Sequence, residues 1–253
     1  MYGAERQQLL AQRARRDGRI DVTAAAAEFE VAPETIRRDL AALERQGVLR
    51  RVYGGAIALD RLDFEPEVSL RDQTNAEKKE RIAKAALDHV PARGTVLLDG
   101  GTTTARLAGL LPADRELTVV TNSLPAANQL ATRNGFNVHL LGGRVRGTTL
   151  ATVESWALDV LRLLTVDVGF FGTNGFSAAR GCTTPDPAES AVKSAMVAAS
   201  RKRVLLADHS KYGDDQFSRF AELSEIDLII TDDGLDAAAV DELEATEAEV
   251  VLA

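Results

Sequence analysis

The 253-residue chain has one cysteine, Cys182. That excludes an internal disulfide and any metal site built from several cysteines. No apolar run approaches the roughly 18 residues that a membrane span needs. The first residues, 1–19, are charged and contain no signal-peptide apolar stretch. There is no repeat at a fixed period and no low-complexity tract. A cytoplasmic protein without a membrane partner is therefore expected. Net positive charge is also lacking: the balance is −8, which taken alone speaks against a nucleic-acid partner. What remains is ordinary for a globular chain, 45% apolar and 27% charged. At about 150 residues per domain, it suffices for one large domain or two smaller ones.

The charge is unevenly spread. Residues 1–61 carry 11 Arg against 9 Asp and Glu, a net of +2, and the remainder carries a net of −10. A slightly basic head on an acidic body suggests two parts with different partners. Arg outnumbers Lys 24 to 6, a bias read here as codon composition without mechanism.

The first 60 residues read as three short helices and a hairpin. Leu9, Leu10 and Ala14 mark a helix over residues 4–17, which Gly18 ends. Thr23 is placed as the N-cap of a second helix over 24–30. Pro33 opens a third, running to about Gln46 with Gly47 as its stop and with Ile36, Leu40 and Leu43 on one apolar face. Residues 48–52 and 56–59 form strands about the Gly54-Gly55 turn. Residues 60–75 read as a linker, and 77–90 as an amphipathic helix. Beyond Thr95, strands at 95–98, 117–121, 137–141, 166–171, 203–207, 228–231 and 249–252 alternate with helices at 103–111, 123–133, 154–164, 188–200, 222–226 and 237–244. That alternation predicts an α/β domain with a mainly parallel sheet covered on both faces.

Helix, tight turn, helix and hairpin make a winged helix-turn-helix pattern. Thr35, Arg37 and Arg38 lie in the first turns of the second helix of the pair, where side chains reach base edges or phosphates in a major groove. Arg50 and Arg51 precede the hairpin turn, and Thr23 and Tyr53 complete the candidate DNA-binding set. The competing reading is a small helical cap with a solvated charged face. The residues decide further. Val31-Ala-Pro-Glu-Thr-Ile-Arg-Arg-Asp-Leu40, Leu43-Glu-Arg-Gln-Gly47 and Arg51-Val-Tyr-Gly-Gly-Ala56 closely resemble the DNA-binding head of DeoR-type bacterial transcriptional regulators. The family usually has Ser or Thr where Ala32 stands, a position that caps the recognition helix, and a lost cap costs on the order of 1 kcal/mol.

In the body, polar loops follow the strands. Asp99-Gly-Gly-Thr-Thr-Thr104 joins a strand to a helix start, where free N–H groups and the helix dipole favour an anion. Ligands of open α/β sheets bind beyond the carboxyl ends of the strands. Gly100 and Gly101 permit close approach there. Thr102, Thr103 and Thr104 are candidate phosphate donors, and Lys193 and Lys211 candidate phosphate or hydroxyl ligands. Asp99, Asn122, Glu189 and Asp208 are candidates for sugar hydroxyls. The plainer alternatives are mere turns for the glycines, a loop-orienting role for Asp99, and a surface helix pair for Glu189 and Lys193, worth about 0.2–0.5 kcal/mol. His209 is read as a loop hydrogen-bonder, His89 and His139 as structural, Cys182 as a small apolar residue, and Trp156 as core or a subunit contact.

The same loops, in order, resemble the effector domain of the DeoR-type regulators across about residues 4–235. That resemblance implies a fold similar to ribose-5-phosphate isomerase. It also implies a pocket for a phosphorylated sugar lined by residues 99–104, Asn122, Gly143, Glu189, Lys193, Asp208 and Lys211. The opening residues resemble actinobacterial members that control fructose use. The expectation is a winged head at 1–59, a linker at 60–75 and an effector domain at 76–253. Together they would form a repressor-type regulator working with operator DNA as a homo-oligomer, dimer or tetramer, without cofactor or metal. Coupling is expected to pass through 60–75 and 77–90. Two other readings stay open: a sugar-phosphate isomerase using Glu189 or Asp208 as base, and a metabolite-binding module whose head contacts only protein.

Overall fold

The computed structural model describes residues 3–45, 48–58 and 65–253, in two compact units, Met1–Pro66 and Glu67–Ala253. In the first, helix α1 (Gly3–Asp17) leads to strand β1 (Arg19–Asp21), helices α2 (Val22–Glu28) and α3 (Pro33–Arg45), and strands β2 (Leu49–Val52) and β3 (Gly55–Ala58). Leu10, Ala14, Ile20, Ile36, Leu40, Leu43 and Leu49 make its core. The expected stop at Gln46 and Gly47, the end of the hairpin at Leu59 and residues 60–64 of the expected linker lie outside the described residues.

Two local expectations change. The cap of α2 is Asp21, not Thr23: Asp21 is extended as the last residue of β1, and its carboxylate accepts the Ala24 N–H at 2.8 Å. The hairpin is also widened by β1, giving a sheet of order β1-β3-β2. Gly55 permits this, since a β-carbon there would fall 1.9 Å from the Ile20 carbonyl oxygen.

The second unit opens with helices α4 (Val68–Gln73) and α5 (Ala76–Ala86). The stretch read as linker therefore contains a helix. Its apolar pattern is silent because α4 buries no side chain. Polar ties hold it instead, including its Val68 N–H donating to the Thr148 carbonyl at 2.9 Å. Then follow β4 (Arg93–Leu98), α6 (Thr102–Leu110), β5 (Glu116–Thr121), α7 (Leu124–Ala131), β6 (Phe136–Leu140), β7 (Arg144–Arg146), β8 (Ala151–Val153) and α8 (Ser155–Leu161). The chain continues through β9 (Val166–Phe171), β10 (Gly175–Ser177), β11 (Gly181–Thr184), α9 (Pro187–Ala199), β12 (Ser200–Leu206), β13 (Ser218–Ala221), β14 (Leu228–Thr231), α10 (Ala237–Glu244) and β15 (Glu249–Leu252). The helix expected at 222–226 is a single 3-10 turn, Leu223–Glu225.

All seven strands expected from the sequence join one sheet, ordered β15-β14-β12-β9-β4-β5-β6 and parallel throughout. Alternate residues serve opposite faces. Val96, Leu98 and Phe170 pack with α5, α6 and α7. Leu97, Phe171 and Leu205 pack with α8, α9 and α10. The first strand in sequence, β4, lies inside the sheet, and the order reverses between β4 and β9. Two small antiparallel sheets, β7-β8 and β10-β11-β13, are additions that the sequence pattern did not reveal. Among the described residues no helix is long and apolar enough to cross a membrane.

In the first unit, Asp39 of α3 is buried and accepts from Arg6 Nε at 2.6 Å and from Gln7 at 2.9 Å. Removing one partner of a buried pair strands the other charge, at about 3–5 kcal/mol. Asp39→Ala is expected to speed amide exchange across residues 3–58 while leaving the protection of the second unit intact. Equal exchange in both proteins would contradict this role.

Candidate functional site

The recognition surface of the first unit is built on α3 and the β2–β3 wing. Thr35 is half-buried, and Thr23, Arg37, Arg38, Arg50, Arg51 and Tyr53 are exposed. Arg37 is paired with Glu34 at 3.0 Å, one turn back on α3. Arg51 is paired with Glu44 at 2.6 Å. Hydrogen bonds from the Arg51 backbone and guanidinium hold the Glu44 carboxyl below its ordinary value. Arg38 and Arg50 make no ion pair among the described residues. Arg37, Arg51, Val52 and Tyr53 line a groove between α3 and the wing, with the Tyr53 ring fully exposed at the wing tip. Ala32 stands before α3 with its carbonyl accepting the Thr35 N–H at 2.9 Å and no side-chain oxygen to add.

In the second unit the site begins where the sheet order reverses, which is where open α/β sheets bind ligands. Asp99 follows β4. Its N–H donates to the Phe170 carbonyl at 3.1 Å, and its Oδ2 accepts the Gly172 N–H at 3.1 Å. Lys193 reaches the same point from α9, donating to Asp99 Oδ2 and, at 3.0 Å, to the Gly172 carbonyl. Its ammonium also lies 5.1 Å from the Phe220 ring centroid. Both Asp99 and Lys193 are fully buried. The surface pair of Glu189 with Lys193 is thus overturned: both are buried, and each has another partner.

Asp99 Oδ1 and Asn122 Oδ1 are buried without a hydrogen-bond partner. They flank Gly100, whose added β-carbon would lie 3.4 Å from Asn122 Oδ1 and 2.8 Å from the Ala151 methyl. Thr104 is occupied internally, donating to the Asp99 carbonyl at 2.7 Å and lying 3.0 Å from that of Gly101. The Thr102 and Thr103 hydroxyls, at the start of α6, make no hydrogen bond among the described residues. Gly143 belongs to the β7–β8 hairpin: it has φ +135°, and a β-carbon would fall 2.2 Å from the Val153 carbonyl oxygen.

Glu189 is held by Arg146 of β7 and by the Thr149 hydroxyl at 3.3 Å. Asp208 accepts from Asn75 at 2.8 Å and from the Ser210 N–H at 3.2 Å. Lys211 ends the 3-10 turn His209–Lys211, which Asp208 caps, and is half-buried. Trp156 is 72% exposed, so it is not core. Cys182 is buried, which pushes its thiol up to about 12 and leaves it a neutral apolar group.

His209, read as a loop hydrogen-bonder, is one, but its partners Asp232 and Lys78, and Lys79 beside Lys78, were missed by the sequence reading. His209 donates its backbone N–H to Asp232 Oδ1 at 2.7 Å, its ring nitrogen lies 2.8 Å from Oδ2, and Lys78 lies 3.2 Å from that oxygen. Asp208, His209 and Asp232 have ligand atoms close enough to share a cation, but the Lys78 ammonium already supplies the positive charge. Desolvation opposes the Asp232 charge, yet hydrogen bonds from His209 and Lys78 together outweigh it and hold the carboxyl below its ordinary value. Lys79 is the larger omission. It is 4% exposed and lies on the inner face of α5 with Ile82, Ala83 and Ala86. Burial pushes its ammonium down to about 8, with Asp208 opposing the shift and Lys211, Arg71 and Arg106 adding to it. A lysine at an apolar helix position was the available signal.

Residues 6–61 match the DeoR-like helix-turn-helix domain, and residues 74–233 match the DeoR C terminal sensor domain. The chain belongs to the DeoR family. Similar relatives include an uncharacterized HTH-type transcriptional regulator, YulB, of Bacillus subtilis, 35% identical over 96% of this chain and 94% of that protein. The glycerol-3-phosphate regulon repressor of Escherichia coli is 33% identical over 81% of each. Among solved structures, ribose 5-phosphate isomerase A of Neisseria gonorrhoeae is similar at 20% identity and TM-score 0.38, over 58% of this chain and 56% of that one.

Two results are expected of this DeoR-type sensor. Lys193→Met leaves the Asp99 charge buried alone and lowers stability by about 3–5 kcal/mol, whereas adding Asp99→Leu recovers part of the loss. Urea titration of both variants checks this, and an unrecovered double variant would contradict it. The second concerns pH. Folded Lys79 loses its proton near pH 8, while the unfolded chain keeps it to about 10.4. The unfolded state binds more protons between these values, so stability rises with pH across that window. Against Lys79→Met, the wild-type protein should gain on the order of 2–3 kcal/mol from pH 8 to 10.5. A pH-independent difference would contradict the burial of a charged Lys79.

Proposed function

We propose that the protein is a DNA-binding transcriptional regulator, a repressor of a sugar-catabolism operon, acting in the cytoplasm as a homo-oligomer. A phosphorylated sugar is its effector. One observation carries the effector reading: at the reversal of the sheet, two buried acceptor oxygens, on Asp99 and Asn122, lack donors. Buried acceptors without partners are costly, and sugar hydroxyls supply donors. The nearby start of α6, with its unused Thr102 and Thr103 hydroxyls, suits a phosphate. The name of the Escherichia coli relative, which carries a phosphorylated metabolite, supports the same class. Binding without turnover fits the carboxylates: Glu189 and Asp208 are each engaged by neighbouring donors, so neither stands free as a base.

The head contributes a local cationic surface to an acidic protein, with Arg38 and Arg50 ready for phosphate and Arg37 and Arg51 needing to exchange Glu34 and Glu44 for it. A single head spans one half-site, so two heads are needed for a full operator. The effector controls DNA binding only through unequal affinity for two conformations; a 100-fold effect corresponds to about 2.7 kcal/mol.

Fluorescence anisotropy with DNA from upstream of the protein's own gene tests this, repeated across phosphorylated and unphosphorylated sugars. Tight, salt-dependent binding altered by one sugar phosphate is expected. Arg38→Ala and Arg50→Ala should each weaken binding, and each lost phosphate contact should flatten the salt slope by about 0.9. Binding indifferent to every sugar phosphate would overturn the effector reading. Turnover of a sugar phosphate, lost in Glu189→Gln, would overturn the non-enzymatic one.

A further inference from the structure

Helix α8 is apolar on two sides. Ala157 and Leu161 are buried in the core of the sensor, with Leu158 packed against it. On the outer side, Trp156, Val160 and Leu163 recur at helical spacing and are 72%, 45% and 86% exposed. Leu163 follows the last residue of α8 but keeps to its turn, its N–H donating to the Val160 carbonyl at 3.0 Å. The indole rests on Gly142, where an added β-carbon would lie 3.6 Å from its Cε3. A surface helix needs one apolar stripe, for the core. A second one, held open to water, is the mark of an interface.

The charges beside the stripe point to what covers it. Asp159 and Arg162 are both exposed and pair with each other at 3.0 Å. At 3.6 residues per turn both fall on the same flank of the stripe. Arg144 and Glu154, just before α8, form another balanced pair at 2.6 Å. Two copies of a chain with net charge −8 repel each other, and they meet at least cost where charge is locally balanced. A symmetric contact must also be self-complementary. When α8 meets α8 of a second copy antiparallel about a two-fold axis, Trp156 faces Leu163 of the other copy and Val160 lies near the axis. Like flanks then adjoin, and the acidic-then-basic order sets Asp159 against Arg162 of the other copy, twice.

We propose that the outer stripe of α8 is the surface through which two sensors pair as a symmetric dimer, with Trp156 as its anchor. This rests on the reading that the regulator is a homo-oligomer, and it adds the surface that joins the copies. Large aromatic side chains seated at the centre of a contact carry most of its affinity. The contact also adjoins the pocket, since α8 follows directly on β8, whose Ala151 flanks Gly100.

Trp156 is the only tryptophan of the chain, so its emission reports on the contact. The test is sedimentation velocity and tryptophan fluorescence of the full-length protein over a dilution series. Wild type is expected to associate, with emission moving to shorter wavelength as it does. Leu163→Asp should raise the dissociation constant roughly tenfold to a hundredfold and keep the emission of an exposed indole. Asp159→Arg and Arg162→Asp should each weaken pairing, yet the two variants, once mixed, should pair with each other better than either does with itself. All these positions are exposed, and circular dichroism checks that the variants fold. A fall from four copies to two in Leu163→Asp supports the proposal as well as a fall from two to one. Assembly of Leu163→Asp equal to that of wild type, or emission that does not move as wild type associates, would overturn the α8 contact and leave the homo-oligomer reading standing. Charge variants that show no preference for each other would overturn the antiparallel pairing on which the proposal is built. A wild-type protein that stays monomeric throughout would overturn both readings.

Discussion

The buried ion pair of Asp99 with Lys193 is the constraint on which the sensor depends. Neither charge is affordable alone in an interior of low dielectric. Together they fasten α9 to the ends of two strands that belong to opposite halves of the sheet. The pair draws in the Gly172 backbone from both sides, as donor to Asp99 and acceptor from Lys193. The reversal between β4 and β9, which leaves a cleft in any sheet of this winding, is thereby narrowed and lined with fixed dipoles. One oxygen of Asp99 is consumed in doing so. The other is left over, and that remainder gives the cleft its chemistry.

Around this point the loops divide their labour. Thr104 closes the turn after β4, so the hydroxyls of Thr102 and Thr103 are the ones left at the helix start. The β7–β8 hairpin lies beside Gly100 and Asn122, with the Thr152 N–H donating to the Asn122 carbonyl and Asn122 Nδ2 donating to the Thr152 carbonyl. Arg146 on that hairpin secures Glu189 on α9. The result is a ring of elements from both faces of the sheet around a few unspent acceptors and donors.

The strands of the large sheet were legible because most are short apolar runs ended by glycine, threonine, asparagine or aspartate, and the helices between them have an inward apolar stripe. The loops that follow β4 and β5 could be picked out on the same grounds. What stayed hidden depends on partners distant in sequence. Three-residue strands such as β1 and β7 carry no period of their own, and α4 shows no stripe because it buries nothing. Lys79 was passed over because a charge within an amphipathic helix is normally assigned to its wet face. Arginine's predominance was read as composition without mechanism, and lysine's scarcity proved informative. Of the six lysines in the chain, Lys78, Lys79, Lys193 and Lys211 stand at or beside the pocket loops. An ammonium is a compact charge whose proton affinity responds to burial, which a guanidinium's does not.

Among the described residues, the head and the sensor have separate apolar cores. A substitution that retunes the recognition helix leaves the packing of the sheet untouched, and one that reshapes the cleft leaves the wing as it was. Such a chain is evolvable in two independent directions. Duplicated copies can drift to new DNA addresses while keeping their metabolite, or to new metabolites while keeping their address, and each stays folded throughout.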